Sequence, residues 1–241
     1  MKNSVLFLSI AFILSSCSSK VSIQSDLELL KTVSLNIAEP SGITIFQNHL
    51  YIVSDHKGTF YKTTLEGKIL QKYTTKFSDL EGITYNSISH NFLVVNESKR
   101  TLVTLDSIGN IIQKDKIEGK QKHNKSGLEG VCFVEDEETI VVVNESAPTQ
   151  LVFLNLKGKI TAKLTLAISK DISGICYEKE TSSFWVVSDE SQSIYQITKN
   201  GKLLKSYKIP VKKAEGIVIL NNIIYIVSDS SNKLYFFKRP D

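Results

Sequence analysis

No stretch of this chain repeats its apolar residues with a convincing helical period, so helices contribute little to its architecture. Cysteine is scarce, with three in 241 residues, and neither Cys132 nor Cys176 has the spacing of a metal or redox motif. The four histidines form no metal-binding pair and no Ser/His/Asp arrangement, and no glycine-rich phosphate loop is present. Neither sign of charge dominates. Without Lys2, which belongs to the N-terminal segment, 28 basic residues face 25 acidic ones, a surplus of +3. That surplus is too small and too scattered for nucleic-acid binding, and no basic stripe with interleaved aromatics accompanies it. The one long apolar run, residues 5–14, is too short for a membrane span, which needs about 20 residues.

What the chain does contain is a repeat. Asp79-Leu80-Glu81-Gly82-Ile83 returns as Glu39-Pro40-Ser41-Gly42-Ile43, Gly127-Leu128-Glu129-Gly130-Val131, Asp171-Ile172-Ser173-Gly174-Ile175 and Lys213-Ala214-Glu215-Gly216-Ile217. The glycines at 42, 82, 130, 174 and 216 are 40, 48, 44 and 42 residues apart, a period that means repeated supersecondary units. Each repeat carries a short apolar strand led by its glycine and a second strand such as Phe184-Trp185-Val186-Val187. A third strand, a turn such as Asn200-Gly201-Lys202 and a mixed outer strand follow. Short β-rich runs bounded by turns, four per unit of about 40–45 residues, are the signature of a β-propeller blade. Five repeats predict five blades. The last repeat stops after its third strand, while an extra strand at residues 30–37 precedes the first glycine motif. That strand can complete the last blade and close the ring, which removes two open edges. Trp185 lies inside an apolar strand and is expected in the core.

The N-terminus is read separately from the fold. Lys2, the apolar run and Leu14-Ser15-Ser16-Cys17 form a lipoprotein-type signal segment over residues 1–17, with Cys17 as the lipidated residue. An ordinary secretory peptide cut nearby is the alternative. Several acyl chains on one cysteine anchor a protein stably where a single chain is marginal. Residues 18–26 are then a tether and residues 27–241 one propeller domain. The expected place is the bacterial cell envelope, on the outer rather than the inner membrane. There the propeller stands in the periplasm or at the surface. Cys132 and Cys176 occupy one repeat position, two residues after their glycines. Two buried thiols and a disulfide between adjacent repeats are both open.

Strands of a blade alternate direction, so the start of strand one and the end of strand two meet at one rim of the central channel. Acids crowd these places: Glu39, Asp79, Glu81, Glu129, Asp171 and Glu215 before strand one, and Asp55, Glu97, Glu145, Asp189, Glu190 and Asp229 after strand two. Converging carboxylates resist ionisation unless a cation sits among them, and carboxylates with Asn carbonyls are ligands for Ca²⁺ or Mg²⁺. The competing reading is structural, since Asp, Asn and Ser at strand ends also make turns through side-chain to backbone bonds. Of the histidines only His56 and His123 fall near this rim. The basic stretch at residues 119–126 also falls there, as a partner-contacting loop, a lid or a solvated insertion. The candidate rim is therefore Glu39, Asp55, His56, Glu97, His123, Glu145, Asp189 and Asp229.

The Asp-Leu-Glu-Gly-Ile and Gly-Leu-Glu-Gly-Val motifs, each followed by Val-Val-Asn-Glu at 94–97 and 142–145, resemble the SdiA-regulated family of bacterial envelope β-propellers over about residues 30–238. A looser similarity links the Glu-Gly motif to gluconolactonase-like and paraoxonase-like propellers. Those have six blades, the alternative count here, and hold a divalent cation in the channel while hydrolysing lactones or phosphoesters. That similarity implies Glu81, Glu129, Glu215, Asn96 and Asn144 as metal ligands, with Ca²⁺ or Mg²⁺ as the cofactor. The expectation is a lipid-anchored propeller binding a small molecule or an envelope protein at its acidic rim, with no catalysis assumed. A metal-dependent hydrolase at the same rim is the alternative.

Overall fold

The computed structural model describes residues 25–120 and 127–240. Blade 1 is built from β3 (Pro40–Phe46), β4 (His49–Ser54), β5 (Thr59–Thr63) and β6 (Ile69–Thr74), and blade 2 from β7 (Leu80–Asn86), β8 (Asn91–Asn96), β9 (Thr101–Leu105) and β10 (Ile111–Lys116). Blade 3 holds β11 (Leu128–Val134), β12 (Thr139–Asn144), β13 (Gln150–Leu154) and β14 (Ile160–Thr165), and blade 4 holds β15 (Gly174–Glu178), β16 (Ser183–Ser188), β17 (Ser193–Thr198) and β18 (Leu203–Lys208). Blade 5 takes β19 (Ala214–Leu220), β20 (Ile223–Ser228) and β21 (Lys233–Lys238) from the C-terminal end and β2 (Leu29–Ser34) from the N-terminal end. Each blade pairs antiparallel, and the innermost strands β3, β7, β11, β15 and β19 contact one another in a closed ring. The fold is a five-bladed β-propeller with the closure that its last repeat demanded.

The strands follow from their residues. Second strands are continuous β-formers buried on both faces, such as Ser183–Ser188, while outer strands such as Ile111–Lys116 bury little. Between successive blades lies one hydrophobic cluster, making five. The seam between blades 1 and 2 is aromatic, with Tyr51, Phe60, Tyr73 and Phe92 buried and Phe46 stacked on Tyr85 at 3.7 Å between ring centres. Trp185 is 1% exposed in the seam between blades 4 and 5. Each such side chain, fully buried, contributes about 1.5–3 kcal/mol.

The structure redraws the end of the expected tether. Ser25–Asp26 form β1, a short strand parallel to β18 with Ser25 opposite Tyr207. Leu27 then drops into the seam between blades 4 and 5. The physical reason is the free edge of β18, which β1 partly covers before the chain crosses to complete blade 5. The signal segment, Cys17 and residues 18–24 lie outside the described residues.

The motif glycines explain how five inner strands fit round one axis. A Cβ on Gly42 would stand 2.1 Å from the Glu81 carbonyl oxygen, and one on Gly174 would stand 2.3 Å from that of Glu215. Only glycine permits backbones of adjacent blades to approach this closely. The channel narrows at this ring to about 10 Å³, too little for anything beyond a water molecule. The acidic end of the channel is therefore a closed cup. No helix among the described residues is long and apolar enough to cross a membrane.

Candidate functional site

The cup is assembled from the two strand ends of every blade. Where the chain turns into the innermost strand, Glu39, Asp79 and Lys213 adopt left-handed φ of 48°, 65° and 49°. Their carbonyls, with that of Gly127, accept the amide hydrogens of Asp55, Glu97, Glu145 and Asp229 at 3.0–3.2 Å. In blade 4 the Asp171 carboxylate does this work instead, accepting from the Glu190 amide at 3.1 Å and from the hydroxyls of Ser188 and Ser169. Next comes a β-bulge. The register of β3, β7, β11 and β19 slips around Ser41, Glu81, Glu129 and Glu215, which re-aims a side chain at the point where pairing is interrupted.

Latch and ligand readings turn out to belong to neighbouring residues. The last residue of each second strand is the latch: Ser54, Asn96, Asn144, Ser188 or Ser228. Ser54 donates to the Ala38 carbonyl at 2.5 Å, Asn96 to the Ser78 carbonyl at 2.5 Å, and Ser228 to the Lys212 carbonyl at 2.8 Å. Asn144 donates to the Pro148 carbonyl at 2.7 Å and accepts from Arg100 at 2.6 Å. The residue after each latch faces the cup, and it is acidic in all five blades: Asp55, Glu97, Glu145, Asp189 and Asp229. Below this tier, beside the glycine ring, stand Ser41, Glu81, Glu129, Ser173 and Glu215. With Asp171, Glu190 and Lys213 they enclose about 200 Å³, so ten carboxylates and one ammonium line the cavity.

The electrostatics follow from this crowding. Burial, then the charges of Asp55, Glu215 and Glu97, hold the Glu81 carboxyl well above the usual range. Burial, then Glu81, Glu215 and Glu97, do the same to Glu129. Burial pushes Glu97 up to about 7, with the Gly127 amide pulling the other way, and brings Glu215 to about 7 against the charge of Lys213. Glu145 and Asp229 are raised as well, again chiefly by burial. Glu81 is 8% exposed, and among the described residues an enclosed oxygen of Glu145, Oε2, has no hydrogen-bond partner. A carboxylate kept from water and from donors either stays protonated or meets a cation.

Five of the eight rim candidates therefore line the cup: Asp55, Glu97, Glu145, Asp189 and Asp229. Glu39 and His56 lie outside the lining and face each other at 3.5 Å, both about half exposed. His123, with most of the basic loop, lies outside the described residues. Of the implied metal ligands, Glu81, Glu129 and Glu215 converge near the glycine ring, whereas Asn96 and Asn144 spend their amides on latches. Sequence reasoning passed over Lys213, whose Nζ sits 3.1 Å from Asp189. The signal was present: a base stands where three of the other four repeats have Glu39, Asp79 and Asp171. Cys132 and Cys176 are free and buried lower in the channel, and burial raises both thiols.

Five four-stranded blades around a channel that ends in an acidic cup define a small β-propeller. Solved structures agree on the architecture. Virginiamycin B lyase from Staphylococcus aureus, as a selenomethionine protein, is 14% identical, with a TM-score of 0.56 over 86% of this chain and 98% of that one. The inactive H270A form of that lyase with quinupristin is 18% identical, with a TM-score of 0.53 over 83% of this chain and 66% of that one. The WD40 propeller domain of Doa1 is 13% identical, with a TM-score of 0.55, 83% of this chain and 63% of that one being covered. At these identities the likeness is one of fold. Within that class the chain belongs to the SdiA-regulated family, whose profile matches residues 19–238.

Proposed function

We propose that this protein is a lipid-anchored envelope propeller that binds a divalent cation in its acidic cup and, through that cup, a small ligand or partner protein. The observation that carries the reading is Glu81. It is buried and feels the charges of Asp55, Glu215, Glu97 and Asp79, so a cation is the group that lets it ionise. Glu129 and Glu215 share the position from blades 3 and 5, and Ca²⁺ suits such a set better than Mg²⁺ because it accepts irregular oxygen coordination where Mg²⁺ demands a near-ideal octahedron. The N-terminal segment, with Cys17 as the lipidated residue, supplies the membrane attachment. Calorimetric titration with Ca²⁺ tests the reading: wild-type protein takes up the ion and gains thermal stability, and Glu129→Gln loses most of both. No uptake and no response of the melting temperature to Ca²⁺ or chelator overturns it.

A second reading is favoured by the room in the cup. About 200 Å³ exceeds what a bare ion needs and leaves space for a small substrate beside it, as a metal-dependent hydrolase requires. Ca²⁺-dependent turnover in a panel of lactones and phosphoesters, abolished in Glu129→Gln, is the result that would establish it.

A further inference from the structure

The turn that leaves each second strand has one position whose backbone does the same work in every blade. The carbonyls of Gly58, Arg100, Thr149, Gln192 and Asn232 each accept the amide hydrogen of the residue just past the blade's outer strand, at 2.8–3.0 Å. Only blade 2 puts a charged residue there, so the backbone bond does not account for the arginine. Arg100 is 6% exposed. Its Nε donates to the Ile117 carbonyl at 3.3 Å and its Nη1 to Asn144 Oδ1 at 2.6 Å. Its enclosed Nη2 has no hydrogen-bond partner among the described residues. No acid among them forms an ion pair with the guanidinium, and burial lowers its pKa below the ordinary value.

The free nitrogen lies against Gly119, where a Cβ would stand 2.3 Å from it. The end of the guanidinium is thus covered by a residue without a side chain. Outside lies an open recess at the seam of blades 2 and 3, lined by Ser98, Lys116, Glu118 and Lys120 together with Arg100. It shares no residue with the acidic cup. Lys116 donates to the Lys99 carbonyl at 2.8 Å, a neutral partner. Three cations against one carboxylate give the recess a net charge of +2.

A buried guanidinium with unused hydrogens needs an acceptor and also a negative charge. Water satisfies the hydrogens but not the charge, and an unpaired buried cation costs far more than one unmet neutral donor. Nη1 carries a second hydrogen beyond the one given to Asn144, so the end-on fork of Nη1 and Nη2 is open. The oxygens that fit such a fork belong to a carboxylate or a phosphate, and two ammonium groups beside it favour the doubly charged anion. We infer that the recess at the seam of blades 2 and 3 is a phosphate-binding site, with Arg100 as the fork and Lys116 and Lys120 as flanking charges. The phosphate group is free, carried by a small ester or part of a lipid headgroup, since all present the same oxygens.

Calorimetric titration of the full chain with inorganic phosphate and with a short-chain, soluble phosphatidylglycerol tests the site. Wild type takes up one equivalent, and the tighter of the two probes tells a headgroup from a free or small-molecule phosphate. Arg100→Gln loses at least about tenfold in affinity, the lower end of what a hydrogen bond to a charged group supplies. Gly119→Ala keeps every charge but crowds Nη2 and weakens binding as well. It carries the test if circular dichroism shows that Arg100→Gln has lost its strands. Glu118→Gln, which removes the one opposing charge, binds more tightly. No uptake of either probe by wild type overturns the inference, and uptake seen only in Glu118→Gln makes Glu118 the counter-ion of the guanidinium instead. Affinity unchanged in Arg100→Gln, or in Gly119→Ala where the first variant is unfolded, overturns it equally.

Discussion

The two ends of the channel are made by the same five strands, yet they differ in almost everything. Above the glycine ring the wall is ten carboxylates and one lysine. Below it, a space of similar size, about 210 Å³, is lined by Ile45, Tyr85, Phe133, Tyr177 and Ile219 with both thiols. The upper wall is supplied by residues at strand ends and bulges, the lower wall by residues in the body of the strands. Strand-body residues are constrained by packing against the next blade, and those at the lower end carry no charge, with Thr44 and Thr84 standing among the apolar side chains. Strand-end residues are released from that constraint, and acids accumulate there although they repel one another. The difference teaches where to look for activity in such a ring: at the end where residues are placed against their own energetic interest.

The sharpest way to break this comparison is through the packing. Phe92→Ala empties the aromatic seam of blades 1 and 2 and is expected to cost about 3–5 kcal/mol. Chemical denaturation measures it, and the loss is the same with and without Ca²⁺, because the residue serves the fold alone. Glu81→Gln acts in the opposite sense. It removes a carboxyl whose ionisation the cup opposes, so in alkaline buffer the cation-free protein melts a few degrees higher, on a scale of about 2–4 °C per kcal/mol for a chain of this size. The same variant forfeits most of the stabilisation by Ca²⁺, which differential scanning calorimetry reads in one experiment.

A pH series separates the two ends more gently. The folded-state pKa values of Glu81, Glu129, Glu97 and Glu215 lie above their unfolded values, the last two at about 7. Protons therefore bind the folded cup more tightly than the unfolded chain, and linkage makes these groups stabilise as pH falls. Cation-free protein should gain stability from about pH 8 down towards the ordinary carboxylate range near pH 4.3. Saturating Ca²⁺ flattens or reverses that slope because the ion competes with the proton. Thermal melts at fixed ionic strength check it, and a cation-free slope of opposite sign refutes the electrostatic account. The smallest effect belongs to the outer rim: Glu39→Gln removes a half-exposed contact with His56 and should change stability by at most about 1 kcal/mol, without altering the Ca²⁺ titration.

Much of this was legible in the residues themselves. The spacing of Gly42, Gly82, Gly130, Gly174 and Gly216 made the blade count. The unfinished last repeat called for a strand from the N-terminus, and β2 is that strand. The convergence of acids at one mouth followed from strand direction alone. The division of labour within Asn96-Glu97 and Asn144-Glu145 was not legible, because a side chain at a strand end can turn either way and hydrogen-bond geometry decides. Nor was the pairing of Glu39 with His56 outside the cup, which depends on how the left-handed turn at Glu39 points its side chain.

By itself, then, the sequence determined the number of blades, the way the ring closes and the end of the channel where charge collects. All three follow from period, strand alternation and the need to satisfy a free edge. Only the tertiary structure decided which acids face the cup and which bonds latch the blades. It also decided that Lys213 pairs with Asp189 inside the cup, and how tightly the glycine ring closes the channel beneath. Those outcomes depend on distances between residues about forty positions apart, and distance across a ring is a property of the folded backbone rather than of local order.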